Sequence, residues 1–353
     1  MRATSKERFY ELDLFRFLAA LFVVLHHYLF RGQAADGYSP VSFAPWLETL
    51  GQYATGFNFF FMTSGFLLVM NALKKTPQDF VVSRAQRLYP ALWVCCTITF
   101  IVSLFTQNPL FMVSPLDYLL NLTMFNGFIG VPFVDGAYWT MMISLKFNLL
   151  LLVVILFKQT RRIHLLASLW LAYSALPVFG VDIPYLGIIL LTAYVPYFVA
   201  GIATYLIRKE GNKIKHWLLF SASYPIAMFY ATQDAQLKSS NYGVAFSAPV
   251  VMIINSVFFL LFLLIALNKT QFLQLRVFTL LGAITYPLFL LHQNLGYMAF
   301  SYLPINKYVL LILLLVVMFT ASYVIYRFVE KPFAKPFGRW LERRLPSRQK
   351  ALS

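Results

Sequence analysis

Residues 12–30 read LDLFRFLAALFVVLHHYLF, an apolar run of the length that crosses a bilayer, for which about 20 residues suffice. The charged or imidazole-bearing side chains in it are Asp13, Arg16, His26 and His27. At roughly 100° per residue, the steps from Arg16 to His27 amount to three helical turns plus about 20°. The two side chains therefore share one stripe, roughly 16 Å apart along the axis, with His26 about 80° off it. A guanidinium and an imidazole are costly inside a membrane helix and are functional candidates by default. The same spacing also suits a plainer assignment, with Arg16 snorkelling to headgroups and His27 a satisfied polar residue near the other surface.

Working outward, the 353 residues are 60% hydrophobic and only 12% charged. Soluble domains carry about 25% charge, so the chain is an integral membrane protein. A net charge of +16 would suit nucleic acid, but its placement excludes that partner. Apolar stretches long enough to span fall at 12–31, 52–73, 88–107, 139–157, 163–180, 184–207, 215–232, 244–267, 277–299 and 305–327. With the N-terminus in the cytoplasm, the outer segments hold only Arg31, Lys238 and Lys307, and Arg16 and Lys146 lie within spans. Every other lysine and arginine falls on the inner side, which supports the orientation. The expected fold is an all-α, polytopic helical bundle of about ten transmembrane helices with both termini cytoplasmic.

The first stretch carries an internal arginine and is followed by further spans, so it reads as retained and not as a signal peptide. Adjacent Cys95 and Cys96 read as packing. Internal repeats are absent from the sequence, and the expected organisation is one membrane domain over 1–340 with a basic cytoplasmic tail at 341–353. The segment FVEKPFAKPFGRWLERRLPSRQK should rest on the anionic inner leaflet. Residues 76–89 suit a short amphipathic helix on the same surface, started by Pro77. On the outer side, 108–138 contains a partial helix from Pro115 to Met124 and then GFIGVPFVDG, which reads as irregular.

Several residues could carry chemistry. Asp13 lies one turn before Arg16, close enough to hold it, either for an anionic ligand or to set topology. Ser64 and Gly65, in FFFMTSGFLL, read first as a close-packing notch between helices. Arg84 and Arg87 present two forks that match phosphate oxygens, whether those of lipids or of a phosphorylated substrate such as coenzyme A. The fourth span carries Trp139, Thr140, Ser144, Lys146 and Asn148, and Lys146 has no acid in its own helix, so a wet cavity is expected beside it. The ninth carries Tyr286, Pro287, His292, Gln293 and Asn294, a second deep histidine in a polar cluster. Scarce intramembrane carboxylates speak against a proton-coupled transporter. The set suits a general base with positive charge arranged for an anionic donor.

LDLFRFLAALFVVLHH resembles the opening of the membrane-bound acyltransferase family 3, the O-antigen and exopolysaccharide O-acyltransferases. Arg16 and His27 match its signature of a basic residue, ten intervening residues and histidine. Ser64, Gly65 and Phe66 resemble its Ser-Gly-Phe segment, Arg84 and Arg87 its Arg-x-x-Arg segment, and Tyr286 with His292 its late Tyr-to-His segment. The resemblance implies transfer of an acyl group, acetyl by expectation, from cytoplasmic acyl-CoA to a sugar hydroxyl. The acceptor would be an envelope glycan or its polyprenyl-linked precursor, at the bacterial cytoplasmic (inner) membrane. Acyl-CoA is then a substrate, and neither bound cofactor nor metal is expected. His27, Arg16, His292 and Ser144 form the expected catalytic group. Asp13, Ser64, Gly65, Arg84, Arg87, Trp139, Lys146, Tyr286 and Asn294 are the expected substrate contacts.

One departure stands out. The family has an acidic residue where this chain has Ser144, which keeps a catalytically impaired, glycan-binding relative among the readings. A transporter of lipid-linked glycan or anionic lipid is the alternative from another class.

Overall fold

The structure is a computed structural model that describes residues 8–345 apart from 182 and 184. Arg2, Lys6 and the tail residues 346–353 lie outside the described residues. The helices that matter are α1 (Tyr10–His26), α2 (Pro45–Tyr53), α3 (Phe57–Ala72), α4 (Pro77–Thr106), α5 (Trp139–Leu156) and α6 (Ile163–Ser174). They continue with α7 (Val195–Glu210), α8 (Ile214–Tyr242), α9 (Ala248–Ala266), α10 (Phe278–Tyr302), α11 (Lys307–Ile325) and α12 (Lys331–Arg344). The described residues contain no strand, and eight of their helical segments are long and apolar enough to cross a membrane. Helices α8 and α10 are also long, at 29 and 25 residues, but carry more polar side chains. The polytopic helical bundle is as expected.

Helix α1 is the seam of the bundle. One face, with Leu12, Ala19 and Val23, packs into a core shared with α3, α5, α7, α8 and α9. The other, with Ala20, Val24 and Tyr28, packs into a core shared with α4, α10 and α11. Two buried faces place α1 between two layers, while Leu18 and Phe22 stay exposed along its outer side. Helices α3 and α7 cross closely because each brings a glycine to the contact. A Cβ on Gly65 would run into the Phe198 carbonyl oxygen, and one on Gly201 into that of Met62. Small residues at such crossings let backbones approach where lipid offers no hydrophobic drive.

One expectation about the elements is corrected. Residues 76–89 are not a separate surface helix but the start of the 30-residue α4, capped by the Thr76 hydroxyl on the Asp79 N–H. Pro90 sits inside without ending the helix. At 1.5 Å per residue α4 is about 45 Å long, longer than the roughly 30 Å apolar layer of a bilayer. The span expected at 184–207 is present as the segment Leu186–Glu210, in which a short helix at Leu186–Leu190 and a tight turn at Thr192–Tyr194 precede α7. A π turn at Tyr326–Glu330 leads into α12, which packs on α4 with the Phe337 ring 5.2 Å from Trp93.

Candidate active site

At the basic end, the space beside α1 opens into a cavity of about 870 Å³, within the size range of small-molecule sites. Among the described residues, Arg8, Arg16, Lys75, Arg84, Arg87 and Lys331 line it against two carboxylates, Asp13 and Glu330. Asp13 binds Arg8 at 2.8 Å and stands 4.0 Å from Arg16. Glu330 is buried and pairs with Arg87, leaving its second oxygen unbonded. The Arg84 Nε is buried without a hydrogen-bond partner, an arrangement stable only if an anion or solvent serves it. Above the arginines, Ser64, Thr140, Ser144 and Asn148 supply small polar groups to the wall. The Tyr286 hydroxyl, also in the lining, donates to the Leu88 carbonyl at 3.2 Å and so ties α10 to α4 beside the arginines.

His27 and His292 meet at the centre of the bundle. Both are completely buried, with ring centroids 4.9 Å apart. His27 begins a π turn that runs to Arg31, a feature often found at functional sites. His27 Nδ1 lies 2.8 Å from the Val23 carbonyl and 3.1 Å from His292 Nε2, while His292 Nδ1 lies 2.9 Å from the Phe289 carbonyl. A carbonyl only accepts, so for neutral rings each Nδ1 carries the proton. His292 Nε2 is then the second acceptor for the His27 Nδ1–H, and His27 Nε2 is an unprotonated lone pair. That atom has no partner. It is a base with nothing yet to do.

Side chains from distant segments hold this pair. The Tyr28 hydroxyl donates to the His292 carbonyl at 2.8 Å, and Gly296 leaves room for that ring. Asp135, fully buried, accepts the backbone N–H of Ala137 and of Asn294 at 2.9 Å each. Burial pushes its carboxyl up to about 7, against the two backbone N–H groups that favour the anion. The clamp fixes the outer turn at 134–137 onto α10 just past His292.

A second cavity, also about 870 Å³, opens at the opposite end. His26 lines it, with Nδ1 bonded to the Gly51 carbonyl at 2.8 Å. Phe57 lines both cavities. Its ring lies 6.3 Å from that of His27 and 5.5 Å from that of Trp139, so this side chain borders both spaces and the imidazole.

The expected site residues divide accordingly. Arg16, Asp13, Ser64, Arg84, Arg87, Ser144 and Tyr286 line the basic cavity, and Trp139 lines the far one. His27 and His292 line neither, so the shared stripe of Arg16 and His27 does not place both in one open space, and Phe57 lies beside the imidazole. Three of the expected residues lie elsewhere. Gly65 is the α3–α7 contact and lines neither cavity. Lys146 lines neither cavity and turns to the Ile188 carbonyl at 3.3 Å and the Phe128 ring at 5.6 Å. Asn294 spends its amide on the outer turn, donating to the Val134 carbonyl at 3.0 Å and accepting the Gly136 N–H at 3.4 Å. Sequence reasoning missed Glu330, Asp135 and Phe57. An acid set in a basic tail, and an Asp-Gly pair before the fourth span, were the available signals for the first two. The described residues hold no cluster of histidine, cysteine and carboxylate that would bind a metal.

No curated protein and no solved structure gives a match to this chain. A family model described as an acyltransferase domain matches residues 9–327, from the residue before α1 to the turn before α12, taking in the histidine pair, the far cavity and most of the basic cavity's lining. The chain belongs to acyltransferase family 3.

Proposed function

We propose that the protein transfers an acyl group, acetyl in the first instance, from cytoplasmic acyl-CoA to a sugar hydroxyl of a cell-envelope glycan or its lipid-linked precursor. The observation that carries the reading is an arginine-lined cavity that reaches Phe57, beside a buried histidine whose Nε2 has no partner. The nucleotide phosphates of the donor match Arg84 and Arg87, with Arg16 further in. Charge-assisted bonds of this kind are the strong ones. Hydroxyl and amide side chains at Ser64, Ser144 and Asn148 suit the amides of a pantetheine arm. The arm is needed because Arg16 and His27 lie roughly 16 Å apart on α1, far beyond hydrogen-bond reach of one reacting carbon.

With Phe57 turned aside, His27 Nε2 takes the proton of the acceptor hydroxyl as its oxygen attacks the thioester carbonyl. The C–S bond then breaks, and the CoA sulfur leaves with the proton that His27 has held, restoring the neutral ring. During the step the imidazolium keeps its Nδ1–H on Val23 and His292. A neutral histidine thus does what a carboxylate commonly does, holding the tautomer and accepting from the charged ring. The inner bacterial membrane is the location this reading implies.

Purified full-length protein in nanodiscs, given radiolabelled acetyl-CoA and de-O-acylated envelope glycan, tests the reading. Label should move to glycan with the intact chain, and not with His27→Ala. Glycan passage without ester formation would point instead to a transporter, and label transfer independent of His27 would refute the base assignment.

A further inference from the structure

The two cavities differ in charge. In the basic cavity the cations outnumber the carboxylates and Arg84 Nε has no partner. In the far cavity the cations are already neutralised by the chain itself. Arg31 is held by Asp36 through Nε at 3.1 Å, and Asp36 also accepts the Tyr297 hydroxyl at 3.1 Å. Lys238 is held by Asp234 at 2.6 Å, one turn away on α8. A phosphate or carboxylate entering there would have to compete for cations with carboxylates set in place.

The remaining wall is aromatic and amide. Trp139 stands at its floor against Phe57 and 6.3 Å from Tyr194. Gln52 is nearly buried and anchors its amide on the Ala245 carbonyl at 2.7 Å, and Asn58 bonds Asn255 at 2.8 Å across the α3–α9 contact. Flat rings that are apolar on the face and polar at the edge, together with amides that both donate and accept, form a surface for a polyhydroxyl ligand. Its C–H faces lie on the rings and its hydroxyls exchange hydrogen bonds with the amides. Charge contributes nothing to that recognition.

We propose that the far cavity binds an uncharged saccharide segment, which is the acceptor, and that its hydroxyl approaches His27 past Phe57 from the side opposite the donor. This rests on the acyl-transfer reading and adds to it the site, the side and the charge class of the acceptor. An isoprenyl pyrophosphate or an acidic sugar is not what the pocket itself holds. If the acceptor is lipid-linked, its pyrophosphate lies outside this cavity.

Oligosaccharides released from the envelope of the cells that make the protein, de-O-acylated with alkali and split by anion exchange into neutral and acidic fractions, are the probes. Saturation-transfer NMR on the full chain in nanodiscs reads binding without turnover, and labelled acetyl-CoA reads transfer. The neutral fraction should bind, and Trp139→Ala or Gln52→Leu should weaken it at least tenfold, while the KM for acyl-CoA stays unchanged and added CoA does not displace it. Binding by the acidic fraction alone, binding indifferent to both variants, or displacement by CoA would overturn the proposal. Neutral binding that depends on Trp139 but yields no labelled ester would uphold the site and refute the donor.

Discussion

His292 should matter to the rate and not to binding. His292→Leu keeps the bulk and removes the second acceptor of the His27 Nδ1–H, leaving the Val23 carbonyl at 2.8 Å to hold the tautomer. The loss is then one hydrogen bond to a ring that is charged only during the reaction. Such bonds contribute about 1.5–3 kcal/mol, which at about 1.4 kcal/mol per decade corresponds to roughly a 10- to 100-fold fall in kcat. Removing the base itself, by His27→Ala, forfeits the roughly 10²- to 10⁴-fold that one positioned proton transfer supplies. Since His292 acts through His27, the double variant should be no slower than His27→Ala alone. The KM for acyl-CoA should not move, because His292 lines neither cavity. Initial rates of label transfer over a range of donor concentration, for the intact chain and the three variants, give each quantity. Additive losses in the double variant, or a raised KM with unchanged kcat, would refute the coupling of the two rings.

Arg84→Gln should raise the KM for acyl-CoA about tenfold or more, from one lost charge-assisted bond, while transfer at saturating donor stays within a few-fold; a fall in kcat alone would remove Arg84 from donor binding. Gly65→Ala should lower thermal stability by about 1–3 kcal/mol through overpacking, as melting in detergent would show, because the added methyl meets the Phe198 backbone. The KM of surviving protein should be unchanged, and a KM effect without a stability change would restore Gly65 as a substrate contact. Ser144→Glu, which returns the family's acidic residue to the cavity wall, should raise turnover; an unchanged or lower rate would show that this chain works without a carboxylate there.

Much of the site was legible because it lies on single helices. Periodicity along α1 puts Arg16 and His27 on one stripe, and the i, i+3 spacing of Arg84 and Arg87 puts both forks into one cavity. The reading failed wherever the partner was far along the chain. Glu330 looks like part of a solvated basic tail until α12 folds back on α4 and sets it against Arg87. Lys146 looks like an unpaired charge in need of water until the segment near Ile188 offers it a carbonyl. Asn294 looks like a ligand contact until the outer turn at 134–137 takes up its amide. In each case local spacing was silent about a contact that long-range packing makes.

The amino-acid order by itself determined the membrane location, the helical class, the basic end and the stripe of cation and imidazole, because these follow from hydropathy, charge placement and a 3.6-residue period. Tertiary structure alone decided that His27 faces His292, which of its nitrogens is the bare one, and that Phe57 borders two cavities of different charge. Those depend on how α1 lies between the two layers, and helix-to-helix packing is not written in the period of any one helix.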